Sequence, residues 1–319
     1  MAFFIGTDEA GYGPNLGPLT VTGTLWNVPD AESQLYTLLS EIVSQTTSDG
    51  LQIADSKALY QSSGKIKTLE TNVLAVLYAM TGQVPISWQE LLKLATTTAA
   101  DDLENEAWIS GQELTLPLAA DVTTIKELGS RFQSACSNAD VELLSIHCHP
   151  VFPPRFNHGV DEHGNKASFL SSITLSLAAE LKKLAEHYDP DSDLRIVCDK
   201  HGGRSKYAGM LAQFLTDEFI WVSQERLERS DYSWTESQKD VSVSFVARGE
   251  SFLPTALASM VSKYVREIFM ELWNNFWALH IPDLKPTKGY PQDAKRFKRE
   301  IAATQESLGI DDHAIWRKR

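Results

Sequence analysis

Three apolar runs in this chain each end on a carboxylate: "AFFIGTD" on Asp8, "DLRIVCD" on Asp199 and "DVSVSFVARGE" on Glu250. Their aliphatic, β-branched and aromatic content predicts strands. An ionised side chain is costly to place inside a core, so each run predicts a strand that surfaces at its carboxyl end. In an open α/β sheet that edge is where ligands bind.

Helical patterns separate the strands. "DAESQLYTLLSEIV", "KIKTLETNVLAVLYAM", "KASFLSSITLSLAAELKKLAEHY", "KYAGMLAQFLTDEF" and "PTALASMVSKYVREIFMELWNNFWALH" predict helices, the last beginning with a proline near N1. "GPLTVTGTLWNV" and "VELLSIHCH" add strands, and "PVFPP" reads as a turn. Residues 83–140 hold two helical patterns, "SWQELLKLATTTAADDLENEAWI" and "DVTTIKELGSRFQSAC", with no chemistry attached. Alternating elements predict an α/β class built on a mixed sheet. The chain's 319 residues, 43% hydrophobic, suffice for one large domain or two modest ones.

Few apolar residues precede Asp8, which leaves no room for a signal sequence, and no apolar run is long enough to span a bilayer. Cys136, Cys148 and Cys198 form no paired motif, so a reducing, cytoplasmic setting is expected. The net charge of −13 argues at first against a polyanionic partner. Its distribution reverses that: residues 1–150 hold 6 basic and 18 acidic side chains, whereas residues 283–319 hold 9 basic and 6 acidic. The basic end can meet a nucleic acid while the acidic half faces elsewhere.

Asp8 is followed by Glu9 and by the loop "AGYGPNLGP". Successive strand side chains point to opposite faces, so a strand ending near Asp8 and a turn at Gly11 are expected to let both acids reach one edge. Asp8, Glu9, Asp199 and Glu250 gathered there would repel one another, and divalent cations are the natural compensation. Oxygen-only ligation suits Mg²⁺ or Mn²⁺.

These residues carry a resemblance. "GTDEAGYGPNLGP" resembles the opening motif of the ribonuclease HII (type 2 ribonuclease H) family. "ADSKAL" resembles its DSK motif, "RIVCD" its third-acid strand, and "ARGESFLPTALASMVSKYVREIFM" its KGDS segment and following helix. "KGYPQDAKRF" and "LGIDDHAIWRKR" are similar to its two closing segments. The resemblance implies an RNase H-like fold, a mixed central sheet flanked by helices, with a catalytic domain over 1–252, an insertion at 83–140 and a C-terminal helical substrate-binding extension over 253–319. It implies cleavage of the RNA strand of RNA/DNA hybrids, or at ribonucleotides embedded in DNA, by a monomer using two ions. Asp8, Glu9, Asp199 and Glu250 would be the catalytic metal ligands. Gly11, Tyr12 and Gly13 would read the ribose 2′-OH through the backbone, Ser56 and Lys57 would contact phosphate, and Tyr290 would pack against the sugar beside the cut. Tyr12 stands where the family has arginine, Glu250 where it has aspartate and Asp293 where it has histidine.

Two other classes fit the residues: a nucleic-acid-binding relative with lost or altered cleavage, and a hydrolase using Asp8 and Glu9 as an acid and base on a non-nucleic substrate. Lys200, His201, Arg204 and Lys206 either hold phosphates or solvate a helix start. The stripe Phe269, Leu272, Trp273 and Phe276 has core spacing. His147 and His149 share a strand face, and without two further ligands at zinc spacing they read as strand packing.

Overall fold

The computed structural model describes the chain apart from residues 47–48, 57–58, 60–65, 96–102, 104–105 and 319. Its apolar runs pair into one seven-stranded sheet of order β5-β2-β1-β6-β9-β8-β7. β2 (Leu19–Val28) lies antiparallel to both β1 (Ala2–Ala10) and β5 (Glu142–Val151). β6 (Asp193–Asp199) runs parallel to β1, and β9 (Lys239–Val246) parallel to β6. β8 (Arg229–Glu236) and β7 (Trp221–Glu225) close that side as antiparallel strands. β1, β6 and β9 therefore point the same way and deliver their carboxyl ends to one edge.

Helices cover both faces, completing the mixed, helix-flanked sheet expected of an RNase H-like fold. On one side α8 (Leu253–His280) packs against β1, β2 and β5, with α2 (Ile66–Thr81), α3 (Trp88–Ala95) and α4 (Val122–Asn138) in the same hydrophobic cluster. Phe269, Leu272 and Trp273 are buried there and Phe276 is packed against them, each fully buried side chain contributing roughly 2–3 kcal/mol. On the other side α6 (Lys166–Tyr188) and α7 (Ala208–Phe214) cover Phe3, Ile5, Ile196 and Phe245. α5 (Pro153–His163) packs with α6 against Leu19 and Val21. α9 (Pro291–Ser307) and α10 (Asp312–Ile315) follow. No described helix is long and apolar enough to cross a membrane.

Local chemistry explains where structure and expectation part. The helix predicted over 30–43 shrinks to α1 (Leu35–Leu38), and Val43–Ser44 (β3) pairs with Leu51–Gln52 (β4). The Tyr36 hydroxyl donates to the carbonyl of Ile53 at 3.0 Å, fixing this crossing. The Pro-rich turn starts α5, because proline suits a helix's first positions. In the 83–140 segment, fully buried Glu70 of α2 accepts the amides of Leu118, Ala119 and Ala120 at 2.7, 2.7 and 2.8 Å, and the Tyr264 hydroxyl at 2.8 Å. One carboxylate thus fastens the segment to α8.

Candidate active site

β1 continues through Ala10 instead of ending near Asp8, so both acids lie within the strand. The pleat sends Asp8 toward α8, where Ser259 hydrogen-bonds its carboxylate, and directs Glu9 to the opposite face. The sheet edge reunites them. Asp8 Oδ1 turns along the strand to accept the Glu9 amide at 2.7 Å. Asp8, Glu9 and Asp199 each offer an oxygen, all within 4.8 Å of one another.

Asp8 is 8% exposed. Burial pushes its carboxyl up to about 8, and the charge of Asp199 adds to the shift; Ser259 and the Glu9 amide oppose it, while Glu250 raises it further. Acidic oxygens held this close, one of them favouring its protonated form, suit a hard divalent cation that relieves their repulsion.

Glu250 does not end a strand. β9 stops at Val246, Arg248 takes a left-handed conformation at φ 64°, and Gly249–Ser251 forms a 3-10 turn. The turn is tied down from outside: the Glu250 carbonyl accepts the Tyr36 hydroxyl at 3.1 Å and Gln45 Nε2 at 3.4 Å, and the Gly249 amide donates to Asp199 Oδ1 at 3.4 Å. Glu250 lies outside the close trio yet near enough for its charge to act on Asp8.

The loop after Glu9 is built on buried arginines. Gly11 sits at φ +90°, where a Cβ would stand 2.7 Å from Pro18 O and 2.8 Å from Arg266 Cδ. Arg266 donates to the carbonyls of Pro18, Leu16 and Lys288 at 3.1, 3.2 and 3.0 Å. Arg317 donates to Gly11 O at 2.5 Å and also to Pro14 O. The amide of Asn15 donates to Gly289 O at 2.8 Å. At Gly13 φ is not positive, and a Cβ there meets nothing within 4 Å. Tyr12 packs against the cluster of Val21, Phe156 and Phe169, and burial, then Glu9, raise its phenol.

Ser56 is buried, its hydroxyl 3.0 Å from that of Ser259, so a single residue links it to Asp8. Lys57 lies outside the described residues. Tyr290 is 54% exposed at the start of α9, next to Gly289 and hence beside the loop. Asp293 is held by Thr287 Oγ1 at 2.5 Å and Arg296 Nη2 at 2.8 Å. Lys200 and His201 turn inward. Lys200 Nζ donates to Arg226 O at 2.7 Å and Ser230 Oγ at 2.8 Å, and His201 Nδ1 lies 2.8 Å from Ser171 Oγ. Arg204 reaches Ser168 Oγ at 2.7 Å, leaving Lys206 exposed. Sequence reasoning missed Ser259, Arg266 and Arg317 as supports. Their signal was an arginine inside an apolar helix and another in a closing motif.

An acidic trio at the carboxyl ends of parallel strands defines a candidate divalent-cation site on a mixed, helix-flanked sheet. No protein-family model matches this chain, and no curated protein does. Solved structures similar to it include the RNase HII of the PCNA:RNase HII complex from Archaeoglobus fulgidus, at 13% identity and TM-score 0.44, covering 99% of this chain and 94% of that one. The ribonuclease H2 from Pyrococcus horikoshii OT3 is similar at 14% identity and TM-score 0.42, over 98% and 92% of the two chains. Bst-RNase HIII in complex with Mn²⁺ is similar at 15% identity and TM-score 0.42, over 99% and 66%.

Proposed function

We propose that this chain is a metal-dependent endonuclease, a cytoplasmic monomer that cuts the RNA strand of RNA/DNA hybrids or at ribonucleotides embedded in duplex DNA. The observation that carries the reading is the trio Asp8, Glu9 and Asp199, whose oxygens lie within 4.8 Å of one another beside a backbone-rich glycine loop. Asp8, Glu9, Asp199 and Glu250 would hold two Mg²⁺ or Mn²⁺ ions, which when bound supply water activation and stabilisation of the departing 3′ oxygen.

The chain's own groups do the rest. Arg266 and Arg317 draw the carbonyls of Gly11, Pro14, Leu16 and Pro18 inward, so the loop is shaped before substrate arrives. The 2′-OH is met by main-chain groups of residues 11–13, Gly11 O keeping a second lone pair beside its bond from Arg317. Lys57 takes phosphate, with Ser56 reaching it only by leaving the buried Ser259 hydroxyl, Tyr290 packs against the sugar, and residues 253–319 extend the contact beyond the catalytic domain of 1–252.

Duplexes labelled on one strand and carrying one or several ribonucleotides, incubated with Mg²⁺ or Mn²⁺, test the reading. Cleavage at ribonucleotides that vanishes in Asp199→Asn supports it, and an intact all-ribonucleotide strand under both metals overturns it. A second reading, a binding relative without turnover, is favoured by the place of Glu250 outside the trio. Duplex binding without cleavage would mark it.

A further inference from the structure

His147 and His149 have no part in the carboxylate site. They lie on one face of β5, opposite Gly23 and Val21 of β2, and α6 covers this face with Leu177 and Leu181 over Gly23. His149 is 7% exposed and its Nε2 has no hydrogen-bond partner. Buried polar atoms are almost always satisfied, so an orphaned ring nitrogen calls for a ligand. Glu180 of α6 places Oε2 3.6 Å from that nitrogen. This is too long for a hydrogen bond. It is close to the ~3.4 Å between two donor atoms that each sit about 2.1 Å from one tetrahedral ion. A cleft of about 380 Å³ opens over the pair, lined also by Arg155, His158, Glu162 and Ser172.

We propose that His149 Nε2 and Glu180 are the protein ligands of a second cation site, one that takes a divalent late transition-metal ion of the Zn²⁺ class with water completing its shell. Among the described residues only the acidic trio brings three ligand atoms within 4.8 Å, so this site has two protein donors. Arg155 repels a cation in the cleft, and the carboxylates of Glu162 and Glu180 offset it. The imidazole sets the selectivity: a nitrogen donor favours Zn²⁺ over Mg²⁺, whereas the all-oxygen trio favours Mg²⁺. The sites are separate. Glu9, Val21 and His149 share one row across β1, β2 and β5, and two strand spacings put the backbones of Glu9 and His149 about 10 Å apart.

The test uses the full chain without substrate, so its outcome is independent of the nuclease reading. With excess Mg²⁺ present, Zn²⁺ is titrated by calorimetry and Co²⁺ by its visible absorption, whose strength separates a tetrahedral shell from the octahedral aquo ion. One Zn²⁺ per chain is expected, retained in Asp199→Asn and weakened about tenfold or more by His149→Gln and by Glu180→Gln. Glu180 is half-exposed, so its variant reports binding even where His149→Gln fails to fold. The proposal falls if the wild type binds no Zn²⁺ in excess Mg²⁺, or if Glu180→Gln binds it with unchanged affinity.

Discussion

Arg317 Nη2 donates to the carbonyl oxygen of Gly11 at 2.5 Å across 306 positions of sequence, and its guanidinium lies 4.7 Å from the centroid of the Phe156 ring. The loop that follows Asp8 and Glu9 is thus clamped from the far end of the chain.

Replacing this clamp should cost both stability and order in the loop. Arg317→Ala leaves the carbonyls of Gly11 and Pro14 without their donor, and roughly 2–4 kcal/mol should be lost in urea unfolding. Arg317→Lys should recover part of that, because both carbonyls accept from the one nitrogen Nη2, whereas the guanidinium's packing on Phe156 is lost. Equal stability of all three proteins would show that the clamp carries no energy.

Asp199→Asn should separate chemistry from folding. It removes a charged ligand while keeping shape, so Mg²⁺-dependent cleavage should fall at least about 100-fold. The melting temperature should hold or rise, because the charge of Asp199 is among the causes that push Asp8 up. A variant that cleaves normally would remove Asp199 from the site.

Gly11 and Gly13 should behave differently. Gly11→Ala forces a Cβ against Pro18 O and Arg266 at positive φ and should destabilise the fold by about 1–3 kcal/mol. Gly13→Ala meets open space and should leave the melting temperature unchanged. A strong loss of cleavage in that folded variant would locate the close approach of substrate at Gly13, and full activity would end the backbone-readout assignment there.

Acid should expose the role of Glu267. Burial opposes its ionisation, yet Lys263 at 2.7 Å and Lys288 at 2.5 Å lower its carboxyl from 4.5 to about 2. A depressed folded-state value gives stability that is fully present above about pH 4.5 and is lost as pH falls toward 2. About 3 kcal/mol of pH-dependent stability should therefore disappear across that window in the wild type. The slope there should be shallower in Glu267→Gln, and parallel curves for the two proteins would refute the linkage.

The acids were legible because each interrupts an apolar run, a pattern that survives without knowledge of the fold. Aliphatic, β-branched and aromatic runs likewise located β1, β2, β5 and β6, and helical patterns located the long helices α6 and α8. The hairpin β7–β8 escaped because Arg229, Asp231, Ser233 and Thr235 lie on the face away from the core, leaving only Ser230, Tyr232 and Trp234 buried. Lys200 and His201 read either as phosphate holders or as a solvated helix start, yet their partners come from distant elements that a local pattern does not contain. Buried arginines are hidden for the same reason: whether a guanidinium clamps a loop depends on which carbonyls the fold brings to it.

The clamp also sets an order of events during synthesis. All three members of the acidic trio have been translated once residue 199 is made, and β1, β2 and β6 can pair once that stretch has cleared the ribosome. The loop beside them acquires its Arg266 anchor later and its Arg317 anchor later still. At about 5–20 residues per second, the interval between translation of Gly11 and of Arg317 is roughly 15–60 s. In the last part of that interval, after residue 199, a nascent chain carries the acidic trio without a fully fastened loop, and a fragment ending before residue 317 keeps the trio but lacks the last fastening.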